Sequence, residues 1–227
     1  MPSRRDIFVN RSYYHIYSKT IDNKNIFLNR QIARYFLNAL AYYRSKKAHL
    51  RYSMFRRLKK QDKERYSHLV NNAQFFYINI IVYCLMPNHF HLLIRQKIDE
   101  GIIRTVATTL DSITRYYNIK KQRKGPIFLT PFRSRRILSR EDFLHVSRYI
   151  HLNPYSAGLI AEIEHLTKYR FNSFRNYVLS MKKDIIDRPD LILKKFGGNS
   201  EKYKQFVLDH ADYQKSLERI KYTKKWI

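Results

Sequence analysis

The chain has 227 residues, of which 44% are hydrophobic, which is enough for one sizeable core. Its 45 Lys and Arg outnumber 18 Asp and Glu, giving a formal charge of +27 that attracts polyanions, nucleic acid before an anionic membrane surface. A single cysteine, Cys84, excludes an internal disulfide and a Cys-rich zinc site, and the longest apolar run, Phe75 to Met86, is too short to span a bilayer. No apolar stretch follows the basic N-terminus, so a signal peptide is not expected, no membrane partner is expected, and the expected compartment is the cytoplasm.

In chain order, residues 13–18 read as a first strand, followed by a loop with Asp22, Asn23 and Asn25. From about Asn29 to Arg44, Ile32, Phe36, Leu37, Leu40 and Tyr43 recur at helical spacing. Residues 45–72 are basic and polar and read as a partly helical surface insertion. Phe75 to Leu85 is rich in β-branched and aromatic residues, and a Pro87-Asn88 turn leads into a second strand ending near Gln96, which makes a hairpin. Ile102, Val106, Leu110, Ile113 and Tyr117 mark a helix that stops at Gly125-Pro126. A short last strand falls within 127–138. Ser139 with Glu141 and Asp142 opens a helix through Phe143, Val146 and Ile150, with Pro154 after it. Beyond Gly158 the chain reads as helical and polar, with a break at Gly197-Gly198 before a last helix of about 200–220.

This order predicts an α+β fold, a ferredoxin-like antiparallel sheet with helices on one face. A core over 1–178 carries the basic insertion at about 45–72, and 179–227 form a helical C-terminal extension.

The most informative stretch is Met-Pro-Asn-His-Phe-His, residues 86–91. Residues i and i+2 of a strand share a face, so His89 and His91 project together and Phe90 points the other way. Two imidazoles on rigid backbone can form half of a metal site, or can be two polar groups on a solvated face. On the last core helix, Tyr149 and Asn153 stand at i, i+4 and share a face. A tyrosine hydroxyl has an unperturbed pKa of about 10, yet it becomes a usable nucleophile beside a metal-bound phosphate. His145 lies one turn before Tyr149, within reach of a proton-transfer role. His151 lies about 200° around the helix from Tyr149 and faces away. His15 reads as structural.

Three stretches in this order resemble the HUH-type single-tyrosine transposases, most closely the REP-associated tyrosine transposases. They are residues 86–94, Met-Pro-Asn-His-Phe-His-Leu-Leu-Ile; residues 125–134, Gly-Pro-Ile-Phe-Leu-Thr-Pro-Phe-Arg-Ser; and residues 149–154, Tyr-Ile-His-Leu-Asn-Pro, with Ala157-Gly158-Leu159 after them. Fainter echoes lie at Tyr14-His15-Ile16 and at Tyr169 to Phe174, so the likeness runs from about residue 8 to 178. The resemblance implies that Tyr149 is the nucleophile and that His89, His91 and Asn153 hold a divalent ion; that donor set suits Mg²⁺ or Mn²⁺ if phosphate supplies the other ligands, and it would also bind Zn²⁺ or Co²⁺. It implies single-stranded DNA with hairpin or repeat structure as substrate, a 5′-phosphotyrosine link, and a monomer or homodimer. The chain departs from the family pattern at Ser18-Lys19-Thr20, at Thr130-Pro131 and in the longer, more basic 45–72.

Lys120, Lys121, Arg123, Lys124, Arg133, Arg135 and Arg136 flank the middle motif and are expected to contact phosphates, with Arg4 and Arg5 as an N-terminal arm. Charge and aromatics suit two readings equally: a nicking and strand-transfer enzyme, or a nucleic-acid-binding module of the same fold that no longer cuts. A third reading, hydrolysis through a metal-activated water, would leave Tyr149 dispensable. Only the constellation of Tyr149, His89, His91 and Asn153 separates the first two.

Overall fold

The computed structural model describes residues 7–179 and 185–223, with side chains described through residue 218. Arg4 and Arg5 lie outside the described residues. Strand β1 (Tyr13–Lys19) leads to helix α1 (Arg30–Tyr43), whose start is capped by the Asn29 side chain accepting from the backbone N–H groups of Gln31 and Ile32. The basic insertion folds as α2 (Tyr52–Phe55) and α3 (Lys60–Val70). The hairpin β2 (Ile78–Met86) and β3 (His89–Gln96) precedes α4 (Gly101–Lys120), β4 (Arg133–Ile137) and α5 (Arg140–Ser156). Short helices α6 (Phe174–Val178) and α7 (Asp190–Leu193) lead to α8 (Ser200–Leu208) and α9 (Ala211–Thr223).

The four strands form one antiparallel sheet in the order β2-β3-β1-β4, as a ferredoxin-like chain requires. One face carries Tyr14, Ile16, Phe90, Leu92 and Ile94 against α1 and α4, as expected. The opposite face, which the sequence left without helices, is covered too. Ile81, Val82, Cys84, Met86 and Leu93 pack there against Phe143, Val146 and Ile150 of α5 and Tyr203 and Val207 of α8. A register shift between Ile80 and Val82 decides which residues of β2 face each core. One extra residue changes the phase of its side chains, so Ile78 and Ile80 share the first core with Tyr83 and Leu85, and Ile81 and Val82 share the second with Cys84 and Met86.

Three boundaries differ from the sequence reading. β2 begins at Ile78, because Asn72 closes a turn over Ala73–Phe75 by accepting from Gln74 N at 3.1 Å. α5 continues through Pro154, since a proline in the last turn removes a single helical N–H, while Ile150, Leu152 and Tyr155 keep the turn packed. The last helical stretch divides into α8 and α9 at Asp209-His210.

The segment after the sheet is tied to it by buried polar groups. The Arg44 guanidinium reaches Asp187 at 2.7 Å, with both side chains buried, and Asp187 accepts from Ile80 N at 2.7 Å. No helix among the described residues is long and apolar enough to cross a membrane.

Candidate active site

The site gathers where β1, β3 and α5 meet. Pro87 and Asn88 form a two-residue turn between β2 and β3, and that turn is anchored from outside. Thr20 donates to Asn88 O from both its backbone N (2.8 Å) and its hydroxyl (3.0 Å), and Phe27 N donates to Pro87 O at 2.9 Å. Thr20 thus holds the turn that starts the histidine strand. His89 and His91 lie on the α5 face with ring centroids 5.0 Å apart, while Phe90 is fully buried on the other side, as the alternation predicts.

Each histidine has its Nδ1 engaged. His89 Nδ1 lies 2.6 Å from Asn88 Oδ1, an atom that can only accept, so His89 carries its proton there and Nε2 keeps its lone pair. His91 Nδ1 lies 2.9 Å from His15 Nε2. His15 is on β1 two residues before Tyr17, the register partner of His91, and the His15 and His91 rings stack at 5.1 Å. Burial holds all three imidazoles neutral. It pushes His15 down to about 4, helped by Arg135 and opposed by Asp142. It pushes His89 down to about 4, helped by Lys19 and opposed by Glu218 of α9. His91 is lowered well below the usual range by burial, then by its two histidine neighbours.

Helix α5 brings the tyrosine to this pair. The Tyr149 ring meets His91 edge-on at 5.7 Å and His15 at 5.9 Å. One turn on, Asn153 is buried and donates from Nδ2 to Tyr149 O at 2.8 Å, which leaves its amide oxygen as the acceptor end. Gln214 of α9 donates to the same carbonyl at 3.1 Å. Two neutral imidazoles and an amide oxygen are the kinds of donor that hold Mg²⁺ or Mn²⁺ when phosphate oxygens complete the shell, and that also suit Zn²⁺ or Co²⁺; His91 offers Nε2 to an ion in the tautomer whose Nδ1 donates to His15. Among the described residues no group of three or more His, Cys, Asp and Glu is arranged to hold an ion.

The two histidines of α5 separate cleanly. His151 is fully buried between Ser173 Oγ and Tyr203 OH, both at 2.8 Å, and burial pushes it down to about 3. It therefore faces away from Tyr149 and has a structural role. His145 is exposed on α5. Of the basic residues expected to meet DNA, Lys120, Lys121, Lys124, Arg133, Arg135 and Arg136 are exposed and Arg123 is half-buried. Arg123 clamps its own loop through Asn118 and Pro126, Arg135 forms a two-pronged pair with Asp142, Arg136 donates to Ser12, and Lys120 donates to Gln31.

No protein-family model matches the chain, and no curated protein does. A solved structure does: a REP-associated tyrosine transposase bound to a REP hairpin superposes with a TM-score of 0.53. The match covers 82% of this chain and 94% of that one, at 14% identity. The chain has the fold of a REP-associated tyrosine transposase. At that identity the likeness concerns the backbone fold alone.

His15, Asn88, Thr20 and Gln214 are absent from the site as read from sequence. Period-two alternation places His15 and Tyr17 on one face of a strand. Only the β1–β3 register brings that face against His91.

Proposed function

We propose that this protein is a divalent-metal-dependent enzyme that nicks and joins single-stranded DNA through Tyr149, a transposase acting on hairpin or repeat DNA. The observation that carries this reading is the packing of the Tyr149 ring against His91, with Asn153 one helical turn away and Nδ1 of both strand histidines already engaged. A Mg²⁺ or Mn²⁺ ion held by His89, His91 and Asn153 would polarise the scissile phosphodiester and stabilise charge developing on it.

The protein's own groups do the rest. His15 and Asn88 fix which nitrogen of each strand histidine is bare. The Tyr149 oxygen attacks phosphorus, an O–P bond forms to the 5′ side, and the bond to the 3′ oxygen breaks. The tyrosine proton passes to solvent or to exposed His145, and the departing 3′ oxygen takes one up. One ester replaces another, so the joining step needs no nucleotide cofactor. The structural neighbour was solved with a REP hairpin, which supports hairpin DNA as the substrate class here.

The test uses labelled, hairpin-containing single-stranded DNA with Mn²⁺. Wild type should yield a protein–DNA adduct that survives denaturation, and Tyr149→Phe should bind without forming one. Cleavage without an adduct, or an adduct in Tyr149→Phe, would overturn the assignment. Binding by wild type with neither cleavage nor adduct would identify a binding module instead.

A further inference from the structure

The insertion between α1 and β2 is built as a platform. Residues 46–65 hold nine Lys and Arg against two acidic residues, Asp62 and Glu64. Among the described residues, none of the nine is in an ion pair. So many unpaired cations on some twenty residues repel one another, and a polyanion would relieve that repulsion. The cations do not sit on a loose loop. Tyr42 packs against Phe55 at 4.8 Å and Tyr52 at 5.4 Å, and Tyr66 packs against Phe55 at 5.8 Å. The Tyr66 hydroxyl accepts from His49 N and Leu50 N and donates to Lys47 O, and the Tyr43 hydroxyl accepts from Tyr52 N.

We propose that this platform binds the backbone of a DNA duplex, the stem of a hairpin whose single-stranded flank enters the Tyr149 site. The inference rests on the function proposed above and adds where the double-stranded part lies. Three observations favour a duplex over a single strand. First, the insertion's tyrosine and phenylalanine rings face inward: Tyr52 is buried, and Phe55 and Tyr66 are half-buried in the cluster, so none of these large rings is presented for bases to stack on. Arg57, Lys59, Lys60 and Arg65 are exposed, which suits phosphate contacts that do not read sequence. Second, the strip continues onto α4. The Arg56 guanidinium lies over the Tyr35 ring (5.4 Å) and the Tyr116 ring (5.7 Å), and Lys120 follows Tyr116 by one helical turn. Third, the platform packs on the α1/α4 side, whereas Tyr149 is on the α5 side. Exposed Lys121, Lys124 and Arg133 lie along the connection from α4 to the edge strand β4, on the path from one face to the other.

The experiment compares two charge-matched variants by fluorescence anisotropy over a NaCl series. One carries Arg57→Gln, Lys59→Gln, Lys60→Gln and Arg65→Gln. The other carries Lys168→Gln, Lys194→Gln, Lys195→Gln and Lys202→Gln, all exposed residues of the C-terminal half. Probes are a blunt DNA duplex and an unstructured oligonucleotide, and circular dichroism confirms that both variants fold. For the insertion variant the log–log salt slope on duplex should fall by about 3 to 4, at roughly 0.9 for each phosphate no longer neutralised. Its binding to the oligonucleotide should stay within about twofold of wild type, and the second variant should keep the wild-type slope on duplex. Equal losses in both variants, or an unchanged duplex slope in the first, would overturn the proposal. The adduct assay on Tyr149 is independent of these outcomes, so either proposal can fail while the other stands.

Discussion

His15→Leu removes the polar partner of His91 and keeps a side chain of similar bulk. His15 Nε2 stands 2.9 Å from His91 Nδ1, and both residues are buried. Without that acceptor, a proton on Nδ1 has no partner, and leaving a buried donor unmade costs about 1–3 kcal/mol. The imidazole can avoid part of this cost by moving its proton to Nε2, the nitrogen that must stay bare to hold an ion. Losing the group that orients a metal-bound histidine typically lowers metal affinity by about 10–100-fold, or about 1.4–2.7 kcal/mol, which falls within the same range. His15→Gln is the informative companion, because the glutamine amide oxygen can reach the place of Nε2. Nitrogen-15 NMR of His91 in the metal-free protein should show a proton on Nδ1 in wild type and in His15→Gln, and a shift toward Nε2 in His15→Leu. Calorimetric titration with Mn²⁺ should follow the same order. If His15→Leu keeps both the wild-type tautomer and the wild-type affinity, the reasoning is wrong and His15 only fills space.

Gly101→Ala should destabilise, although alanine ordinarily favours a helix, because a Cβ at this position would sit 2.5 Å from the Tyr77 carbonyl oxygen; urea midpoints should fall by the equivalent of about 1–3 kcal/mol, and an unchanged midpoint would refute the clash. Arg44→Leu and Asp187→Asn each break the buried pair from one side and should each cost about 3–5 kcal/mol in urea denaturation at pH 7, while the double variant should lose clearly less than the sum; additive losses would show that the two groups do not act as a pair. Acid should destabilise the fold well above the carboxylate range. His15, His89 and His151 have folded pKa values pushed to about 4, 4 and 3, against an ordinary 6.5. The unfolded chain therefore takes up protons that the folded chain refuses, and stability that is full above pH 6.5 declines as the pH falls through 4. Asp187 acts in the opposite sense, since burial raises it to about 6 and its folded form gains a proton first, but it is one group against three. Urea midpoints at pH 7, 5.5 and 4.5 should fall in that order, and a rise toward pH 5 would refute neutral burial of the histidines.

Periodicity made much of this protein legible. Strand β1, helices α1, α4 and α5 and the hairpin lie where alternation and helical spacing put them, because each buries one regular stripe. The second core was not legible, since Phe75 to Met86 is apolar nearly throughout and such a run does not betray the bulge between Ile80 and Val82. Without the bulge, nothing indicates that Cys84 and Met86 face α5 while Tyr83 and Leu85 face α1. The pairing of His15 with His91 spans 76 positions and depends on strand register, which sequence spacing does not encode. The departure at Ser18-Lys19-Thr20 acquired a meaning only in three dimensions: Ser18 donates to Leu129 O and Thr20 grips the turn before His89.

Pro154 ties these local facts to the site. Lacking an N–H, it cannot donate to the carbonyl of Ile150 four residues earlier. Next to that gap, the carbonyl of Tyr149 collects two side-chain donors, Asn153 Nδ2 from its own helix and Gln214 Nε2 from α9. The first bond commits the amide nitrogen of Asn153, so its oxygen is the end left to serve as a ligand. The second bond makes the C-terminal helix part of what holds the tyrosine, and Tyr155 strengthens that docking by donating to Asp212 at 2.7 Å. Glu218, one turn beyond Gln214 on α9, is near enough to His89 for its charge to be felt there. The helix of the proposed nucleophile is thus braced from two sides. The strand histidines lie beneath it on the sheet and α9 flanks it. A substitution on α9 that leaves every proposed ligand intact, such as Gln214→Leu, should therefore slow adduct formation while sparing Mn²⁺ affinity. Equal loss of both would mean that α9 holds the whole site rather than the tyrosine.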